Sequence, residues 1–422
     1  MTTTKNNEHK KLNFSSEREQ SQACLNSAEH EKNQGRKVLN VPNLRFPEFQ
    51  GEWEYFLIND VCSEFKSGKN IKADSVFECG EYPVYGGNGL RGYTSSYNHE
   101  GSYVLIGRQG ALCGNVRSVY GKTYITEHAI AVAGNEKSNT NFLHYLFLKM
   151  NLGQYSDQSA QPGLAVNKLL KLKVALPIIS EQTKIAKLLS LLDERIATQN
   201  KIIDKLQSLI KGIMVELQKQ GVNKGTWKKV FLSDVLTERN ERNTNLFQVF
   251  SVSVSQGVVN QVDYLGRSFA AKDTSKYNVV HYGDLVYTKS PTGSFPYGIV
   301  KQSLNLENVA VSPLYGVYKP KSLAVGAYLH EYFMSEINTH NYLHPLIQKG
   351  AKNTINITNQ RFLENCVLLP TNINELLQIS KLLRSLNNKI KYQQDILQQY
   401  QKQKQYLLRQ MFIWRKVHIK SV

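Results

Sequence analysis

Residues 185–217 read IAKLLSLLDERIATQNKIIDKLQSLIKGIMVEL, and their apolar side chains recur at alternating intervals of four and three residues. This spacing is the heptad pattern of a coiled-coil seam, in which one face of a helix packs against a second helix. A polar residue, Gln199, interrupts the apolar series. The predicted seam consists of Leu189, Leu192, Ile196, Gln199, Ile203 and Leu206.

A second heptad helix lies 194 residues further along the chain. Its predicted seam consists of Leu383, Leu386, Ile390, Gln393 and Leu397. Even the polar interruption recurs, because Gln393 takes the place of Gln199 in the series. Two runs that share so many positions favour packing on each other over two unrelated core helices. Antiparallel pairing is the simplest arrangement within one chain, and we expect the two glutamines to meet near the middle and fix the register.

The repeat extends to the segments that precede the helices. GEWEYFLINDV at 51–61 matches GTWKKVFLSDV at 225–235, and FLHYLF at 142–147 matches YLHEYF at 328–333. A third pair, LKLKVALP and LENCVLLP, stands directly before the two helices. Because the order of the matches is the same in both halves, the chain is predicted to be a tandem duplication of one domain-plus-helix unit, with a pseudo-two-fold relation between the copies.

The segments before each helix are rich in glycine turns and in Tyr, Val and Ile, which predicts short β-strands. The predicted fold class is therefore α+β, with two globular domains joined by two long antiparallel coiled-coil helices. The predicted segments are a disordered N-terminal extension (1–40), a first domain (41–179), a first spacer helix (180–220), a second domain (225–372) and a second spacer helix (373–415).

Composition narrows the class of protein. The 422 residues suit two or three domains, and no window approaches 18 uninterrupted apolar residues, which argues against a membrane-spanning helix. The five cysteines are scattered and form no CxxC pair, which argues against structural zinc and a disulfide framework. A reducing cytoplasm is the expected compartment.

The net charge of +18 is unevenly distributed. Residues 373–422 hold ten basic and two acidic side chains, so much of the excess lies on the second helix and the tail. A protein that binds phosphates generally would spread its charge over its binding faces. The charge is therefore compatible both with DNA binding and with a basic surface that docks a protein.

Two glycine-rich loops of the first domain carry side chains suited to reading bases. Arginine and glutamine hydrogen-bond to guanine and adenine edges in the major groove, and glycine lets backbone approach a ligand closely. The alternative is a pair of β-turns with solvated polar tips. The candidate DNA-binding residues are Asn88, Arg91, Tyr93, Arg108, Gln109 and Gln161.

The second domain offers a longer but less specific set of polar loop residues. Such side chains suit phosphate or base contact, and they also suit any exposed loop. The candidates are Ser255, Gln256, Lys289, Ser290, Thr292, Ser294, Tyr297, Lys349, Lys352 and Asn353.

Catalytic motifs are missing from the sequence. Gly121-Lys122-Thr123 resembles the end of a phosphate-binding loop, but the required earlier glycine is replaced by Val116. There is no Pro-Pro pair, no HExxH and no GxSxG. His144 and His330 occupy matching positions of two amphipathic helices, where structural, hydrogen-bonded histidines are expected. We therefore predict no catalytic residue and no metal site.

Several stretches resemble the specificity subunits of type I restriction–modification enzymes. NVPNLRFPEFQGEWE (40–54) is similar to their opening, and residues 80–132, 251–267 and 277–291 are similar to their target-recognition domains. LPIISEQTKIAKLLSLLDERI (176–196) resembles their helical spacer and is the most specific of these matches. The corresponding start of the second helix, NINELLQISKLLRSLNNKI, departs from that pattern.

The resemblance implies a non-catalytic subunit in which each recognition domain reads one half of a bipartite site on double-stranded DNA. It implies two modification (methyltransferase) subunits docked on the helices and restriction subunits that translocate and cut. S-adenosylmethionine, ATP and Mg²⁺ would belong to those partners, and this chain would hold no cofactor. The methylated base would be adenine.

Two other hypotheses remain open. In one, the chain is a coiled-coil scaffold whose globular units bind proteins, and it would show no salt-dependent DNA affinity. In the other, the chain is a self-sufficient restriction or methyltransferase enzyme, which the missing motifs disfavour.

Overall fold

The structure, a computed structural model, describes residues 40–157, 163–349 and 355–413. The chain forms two compact units. The first unit combines Met1–Asp193 with Lys402–Val422, and the second unit is Glu194–Gln401. Each unit thus contains one domain and part of both long helices. Within the described ranges, no helix is both long and apolar enough to cross a membrane.

The described part of the first domain combines a six-stranded sheet, a two-stranded ribbon and helices. Its strands are β1 (Glu54–Leu57), β2 (Cys62–Ser67), β3 (Tyr82–Gly86), β4 (Gly89–Thr94), β5 (His99–Gly107), β6 (Val116–Ile125), β7 (Ala129–Gly134) and β8 (Lys173–Leu176). Its helices are α1 (Ile58–Val61), α2 (Thr140–Met150) and α3 (Val166–Leu170), with 3₁₀ turns at Ala73–Ser75 and Leu152–Tyr155.

Six of these strands form one sheet in the order β2-β7-β5-β6-β3-β4, while β1 and β8 pair separately. Strand β5 is central, antiparallel to both β6 and β7. Its side chains alternate between faces, as a strand requires. Val104 and Ile106 join the cluster beneath α2, and Leu105 joins a smaller cluster with Val119 and Ile125.

Helix α2 seals the main core of the first unit. Asn139 caps it by accepting a hydrogen bond from Phe142 N at 3.1 Å, which satisfies one of the free amides at the helix start. The buried side chains of α2 share their cluster with Met411, Phe412 and Ile413. Phe142 and Phe412 lie with ring centroids 5.0 Å apart. Residues near the end of the chain therefore complete the core of the first domain.

The first long helix, α4, runs from Ile179 to Asn223 and has 45 residues. It begins one residue before and ends three residues after the predicted segment 180–220. A turn follows the helix and ends at Gly225, whose φ of +69° is the left-handed conformation that ends many helices. There the Gly225 and Thr226 amides donate to the carbonyls of Val222 and Gly221.

The second domain repeats the order of elements found in the first. Its strands are β9 (Trp227–Phe231), β10 (Leu236–Glu238), β11 (Phe250–Ser253), β12 (Gly257–Asn260), β13 (Asn278–Val280), β14 (Leu285–Tyr287), β15 (Val300–Gln302), β16 (Val309–Val311), β17 (Gly316–Pro320), β18 (Gln348–Lys349), β19 (Ile355–Asn356) and β20 (Cys366–Pro370). Its helices are α5 (Leu232–Val235), α6 (Gln261–Leu265), α7 (Leu323–Tyr332), α8 (Glu336–Leu343) and α9 (Asn359–Phe362), with a 3₁₀ turn at His344–Leu346.

Sheet topology repeats as well. The order β10-β17-β14-β15 in the second domain corresponds to β2-β7-β5-β6 in the first, so β14 is the counterpart of β5. The ribbon of β9 and β20 corresponds to that of β1 and β8. Trp53 and Trp227, which mark the two repeat starts, are both buried. The tandem duplication of an α+β domain followed by a long helix is therefore present in the fold.

The second long helix, α10, runs from Ile373 to Gln410 and has 38 residues. Asn372 caps its start by accepting from Asn374 N at 2.8 Å. The predicted segment continued to residue 415, but the helix stops at Gln410 because Met411 and its two neighbours are drawn into the core of the first unit. Residues 414–415 and the predicted extension, apart from Asn40, lie outside the described ranges.

The two long helices are antiparallel within the second unit. Gln199 Nε2 donates to the backbone carbonyl of Gln393 at 3.1 Å and also contacts its side-chain oxygen. Trp227, just beyond the end of α4, donates to Glu375 at the start of α10 at 2.8 Å. The predicted meeting of the two glutamines is therefore observed. Within the first unit, Lys404 Nζ lies 2.5 Å from Asp193 Oδ1.

The predicted seam side chains are buried to different extents. Leu189, Leu192, Gln199, Ile203, Leu383 and Ile390 are buried, and Ile196, Leu206, Leu386, Gln393 and Leu397 are half-buried. Beyond Ile210 the buried position moves from Ile213 to Met214. A helix has 3.6 residues per turn, so a strict heptad drifts around it and the seam shifts by one residue.

Candidate nucleic-acid interface

Arg108 and Gln109 occupy the loop that follows the central strand of the first domain. The loop is closed at its base, because Gly107 N donates to Asn115 O and Gly114 N to Gly107 O, both at 2.8 Å. Gly110 turns the chain with a φ of +82°, which disfavours any side chain there. Gln109 is exposed and Arg108 is half-buried. A rigid strand end thus presents both side chains.

The tip of the β3–β4 hairpin lies against this loop. A Cβ atom on Gly87 would approach His128 O to 2.7 Å and Gly107 Cα to 3.4 Å, so only glycine allows the contact. Asn88 is exposed at the tip. The hairpin therefore brings Asn88 to the loop that holds Arg108 and Gln109.

Arg91 and Tyr93 take different positions on the same hairpin. The register passes from Val84 opposite Gly92 to Tyr85 opposite Leu90, which leaves Arg91 as an extra residue in a bulge. A Cβ on Gly86 would lie 2.8 Å from Arg91 Cδ, so the arginine folds back over the tip. Tyr93 is further from the tip, where its backbone pairs with Phe77. Sequence reasoning grouped Tyr93 with the tip residues, and the structure places it apart from them.

The loop after β14 is the counterpart in the second domain. Its first residue, Thr288, is buried and accepts from Ile299 N at 3.1 Å. Lys289 follows with a φ of +61°, an uncommon conformation for a non-glycine residue. Burial lowers the pKa of Lys289, and nearby Glu238 opposes the change. A strained, half-buried lysine at this position marks the loop as a candidate binding site.

The rest of this loop is a tight turn packed on α8. Thr292 and Phe295 exchange backbone hydrogen bonds at 3.0 Å, and Ser294 Oγ donates to Glu336 Oε1 at 2.5 Å. The Tyr297 ring lies 5.3 Å from the His340 ring and 6.0 Å from the His344 ring. Ser290 and Thr292 are joined by a hydrogen bond of 3.1 Å from Thr292 Oγ1 to Ser290 O.

Ser255 and Gln256 form the exposed tip of the β11–β12 hairpin, which is anchored from below by a buried lysine. Lys301 Nζ donates to Val254 O at 2.6 Å. Burial lowers the pKa of Lys301 to about 8, although Glu331 favours its charged form. The lysine holds this hairpin through its backbone, while the exposed Ser255 lies with its Oγ 3.4 Å from Ser253 Oγ.

Four predicted residues cannot be placed. Gln161, Lys352 and Asn353 lie outside the described residues, as does the side chain of Lys349. The flanks of residue 161 are described: Leu164 N donates to Arg108 O at 2.9 Å, and Gln109 is bridged to Gly163. Gly163 and Leu164, the described residues that follow this segment, therefore lie beside the Arg108–Gln109 loop.

The structure adds side chains that the sequence did not single out. In the first domain, the β6–β7 turn brings Glu127 and His128 to Gln109, and the Arg117 guanidinium lies next to Gly89. In the second domain, His340 and His344 stack at 5.1 Å. The histidine pair has the i, i+4 spacing of neighbours on a helix face, which was readable from sequence. The approach of Glu127 and His128 to Gln109 depends on the pairing of the strands, so it could not be read from the sequence.

The paired histidines of the two amphipathic helices differ in their contacts. His330 Nδ1 accepts from Gln302 N at 3.0 Å, as expected for a structural histidine. His144 Nδ1 is buried with no hydrogen-bond partner among the described residues, contrary to that expectation. Within the same residues, no group of three or more His, Cys, Asp or Glu side chains is arranged to hold a metal ion.

Comparison with known proteins gives matches to one family. Residues 50–208 match the family described as type I restriction modification DNA specificity domain. The chain is 42% identical over 154 residues to the type I restriction enzyme EcoprrI specificity subunit of Escherichia coli, covering 36% of this chain and 38% of that protein. It is 28% identical over 144 residues to the putative type I restriction enzyme specificity subunit S.HindORF215P of Haemophilus influenzae, covering 33% and 37%. The matches thus span little more than a third of each curated relative.

A solved structure extends the similarity of fold to most of the chain. The crystal structure of the type I restriction-modification system S subunit from M. genitalium has a TM-score of 0.65 at 12% identity. It covers 89% of this chain and 100% of that chain. At this identity the likeness concerns the fold alone.

Proposed function

We propose that the chain is the DNA-reading subunit of a type I restriction–modification complex, because residues 50–208 match the type I restriction modification DNA specificity domain. Each domain reads one half of a bipartite target on double-stranded DNA. The chain performs no catalysis itself. Its role is to select the sequence on which partner subunits act.

The observation that carries this proposal is the repeated position of the polar loops. In the first domain, Arg108 and Gln109 follow β5, and in the second, Lys289 and Ser290 follow β14, its counterpart. Arginine, lysine and glutamine are the side chains that pair with base edges and phosphates. A duplicated reader with different side chains at the same place suits a target made of two different half-sites.

The long helices set the spacing between the half-sites. A helix of 45 residues is about 68 Å long at 1.5 Å per residue, comparable to two turns of DNA. The hydrogen bond between Gln199 and Gln393 fixes how far the helices slide along each other. The register of this pair therefore determines how many base pairs remain unread.

The same helices offer docking positions for two modification (methyltransferase) subunits. Apolar side chains outside the seam are exposed, including Ile202 and Leu209 on α4 and Leu382 and Tyr392 on α10. Exposed apolar residues on a helix suit a partner helix. Restriction subunits that translocate and cut DNA complete the complex.

Cofactors belong to those partners in this proposal. S-adenosylmethionine supplies the methyl group to adenine in the modification subunits, and ATP with Mg²⁺ drives the restriction subunits. This chain holds none of them, and the complex works in the cytoplasm.

The experiment that tests this function is methylation mapping by single-molecule sequencing, with and without the gene for this chain. The expected result is a methylated bipartite adenine motif with a fixed gap that vanishes when the gene is removed. The purified complex should also lose affinity for that site as salt rises, because phosphate contacts release counterions. A complex without salt-dependent DNA affinity and an unchanged methylation pattern would favour the protein-binding scaffold instead.

A further inference from the structure

His128 is the point at which three loops of the first domain meet. Arg108 N donates to His128 O at 2.9 Å, which ties the β6–β7 turn to the loop after β5. The same oxygen faces Gly87 at the tip of the β3–β4 hairpin. Thr126 N donates to Tyr85 O at 2.9 Å, which ties the turn to the hairpin a second time. The backbone at His128 is therefore held on two sides.

The imidazole of His128 stands between two side chains. Its Nε2 lies 3.1 Å from Glu127 Oε1, and its Nδ1 lies 3.2 Å from Gln109 Oε1. Within the described residues, the amide NH₂ group of Gln109 has no protein partner. The three side chains form a chain of contacts that ends at an exposed amide.

The hydrogen bond between His128 and Gln109 fixes which way the amide faces. The amide oxygen of Gln109 only accepts, so His128 Nδ1 is the donor. Glu127 lies on the other side of the ring, with Oε1 at 3.1 Å from Nε2. Gln109 is left with its NH₂ donors facing outward.

We propose that His128, supported by Glu127, is a positioning residue that orients the Gln109 amide and thereby sets one base preference of the first domain. An outward NH₂ group recognises an acceptor on the major-groove edge. Guanine presents O6 and N7 there and thymine presents O4, whereas cytosine presents an amino donor and adenine presents one beside its N7 acceptor. We therefore expect guanine or thymine, which present no amino donor at this edge, at the position that faces Gln109. This inference rests on the proposed function and adds the specificity of one contact to it.

The test uses the full chain in complex with its modification subunit and a DNA library randomised over one half-site at a time. The methylated fraction is sequenced for the wild type, Gln109→Glu, Gln109→Ala and His128→Ala. Wild type should prefer guanine or thymine at one position by about three- to tenfold, as one hydrogen bond provides. In Gln109→Glu both terminal atoms only accept, so the preference should move to cytosine or adenine.

His128→Ala separates positioning from simple stability. Without the imidazole the amide can turn over, so selectivity should fall to within about twofold at that position, and Gln109→Ala should do the same. Other positions of this half-site and the whole second half-site should keep their preferences. The matched control is His281→Ala, which removes another histidine–glutamate contact, 2.7 Å from Nε2 to Glu241 Oε2, in the second domain. It should leave the first half-site unchanged.

The inference is overturned if Gln109→Glu keeps the wild-type preference at every position, whatever His128→Ala does. If His128→Ala loses methylation at all sequences through misfolding, the exposed and isosteric Gln109→Glu variant decides alone. A wild-type complex that shows no sequence preference in either half-site would contradict the proposed function itself, which is a different result.

Discussion

Arg108, Gln109 and His128 illustrate how single residues acquire a role from the strands around them. The first two were identified by residue type beside glycines, which the sequence displays directly. The sequence also shows His128 directly after Glu127, but it predicts no contact of this pair with Gln109, because that contact depends on the pairing of β6 and β7 with β5. The structure brings the imidazole to 3.2 Å from the Gln109 amide. The local sequence therefore predicts which side chains are suited to hydrogen-bond to a base. The pairing of the strands decides which of these side chains a neighbour holds in one orientation.

His144, whose Nδ1 atom is buried, should make the first unit less stable in acid. Burial lowers the pKa of His144 to about 4, the charge of Lys404 adds to this, and Asp193 opposes it. An exposed histidine in the unfolded chain has a pKa near 6.5. Between about pH 4 and 6.5 the unfolded chain binds a proton that the folded chain does not, so the free energy of unfolding falls as the pH falls.

Replacing this histidine should remove part of that dependence. In His144→Leu, the fall in unfolding free energy between pH 6.5 and 4.5 should be smaller by up to about 3 kcal/mol. Urea denaturation at several pH values measures it. Asn141→Leu, an exposed change on the same helix, should keep the wild-type slope. Equal slopes for His144→Leu and the wild type would contradict the assignment of this proton to His144.

The heptad pattern of the long helices predicts their pairing but not where they end. The heptads predicted both helices, their pairing and the contact of Gln199 with Gln393, because all three depend on spacing alone. The ends differed from the prediction, since α4 ends at a glycine turn and α10 ends where Met411 enters a core. The end of α4 is set by a local glycine turn and the end of α10 by a tertiary contact, and the heptad repeat encodes neither.

The effects of replacing Gln199 and Gln393 on the free energy of unfolding should be non-additive, because the two side chains contact each other. Gln199→Leu leaves the half-buried Gln393 amide without its partner and should lower the free energy of unfolding by about 1–3 kcal/mol. The double change Gln199→Leu with Gln393→Leu should recover most of the loss, because two apolar residues fit a seam. A double-mutant cycle from urea denaturation gives the coupling.

A matched control separates the seam from the helix surface. Gln398→Leu lies on the exposed side of α10 and should change stability by less than about 0.5 kcal/mol. If the single and double glutamine changes are additive, the two amides do not act as a pair. We also expect the double variant to methylate sites with a less strictly defined gap between the half-sites, because the polar contact no longer selects one register of the helices.

At the scale of the molecule, the duplication was predictable from repeated motifs in a constant order. Both domains carry the same arrangement of a central strand, a sealing helix and a strand ribbon before the long helix. The burial of Met411, Phe412 and Ile413 in the first core was not predictable, since it joins residues at opposite ends of the sequence.

In the proposed function, two similar domains read two half-sites independently. The methylated sequence of a complex in which residues 225–372 are exchanged for those of a relative tests this independence. We predict that one half of the bipartite motif changes while the other half and the gap stay the same. A change in both halves, or in neither, would contradict it.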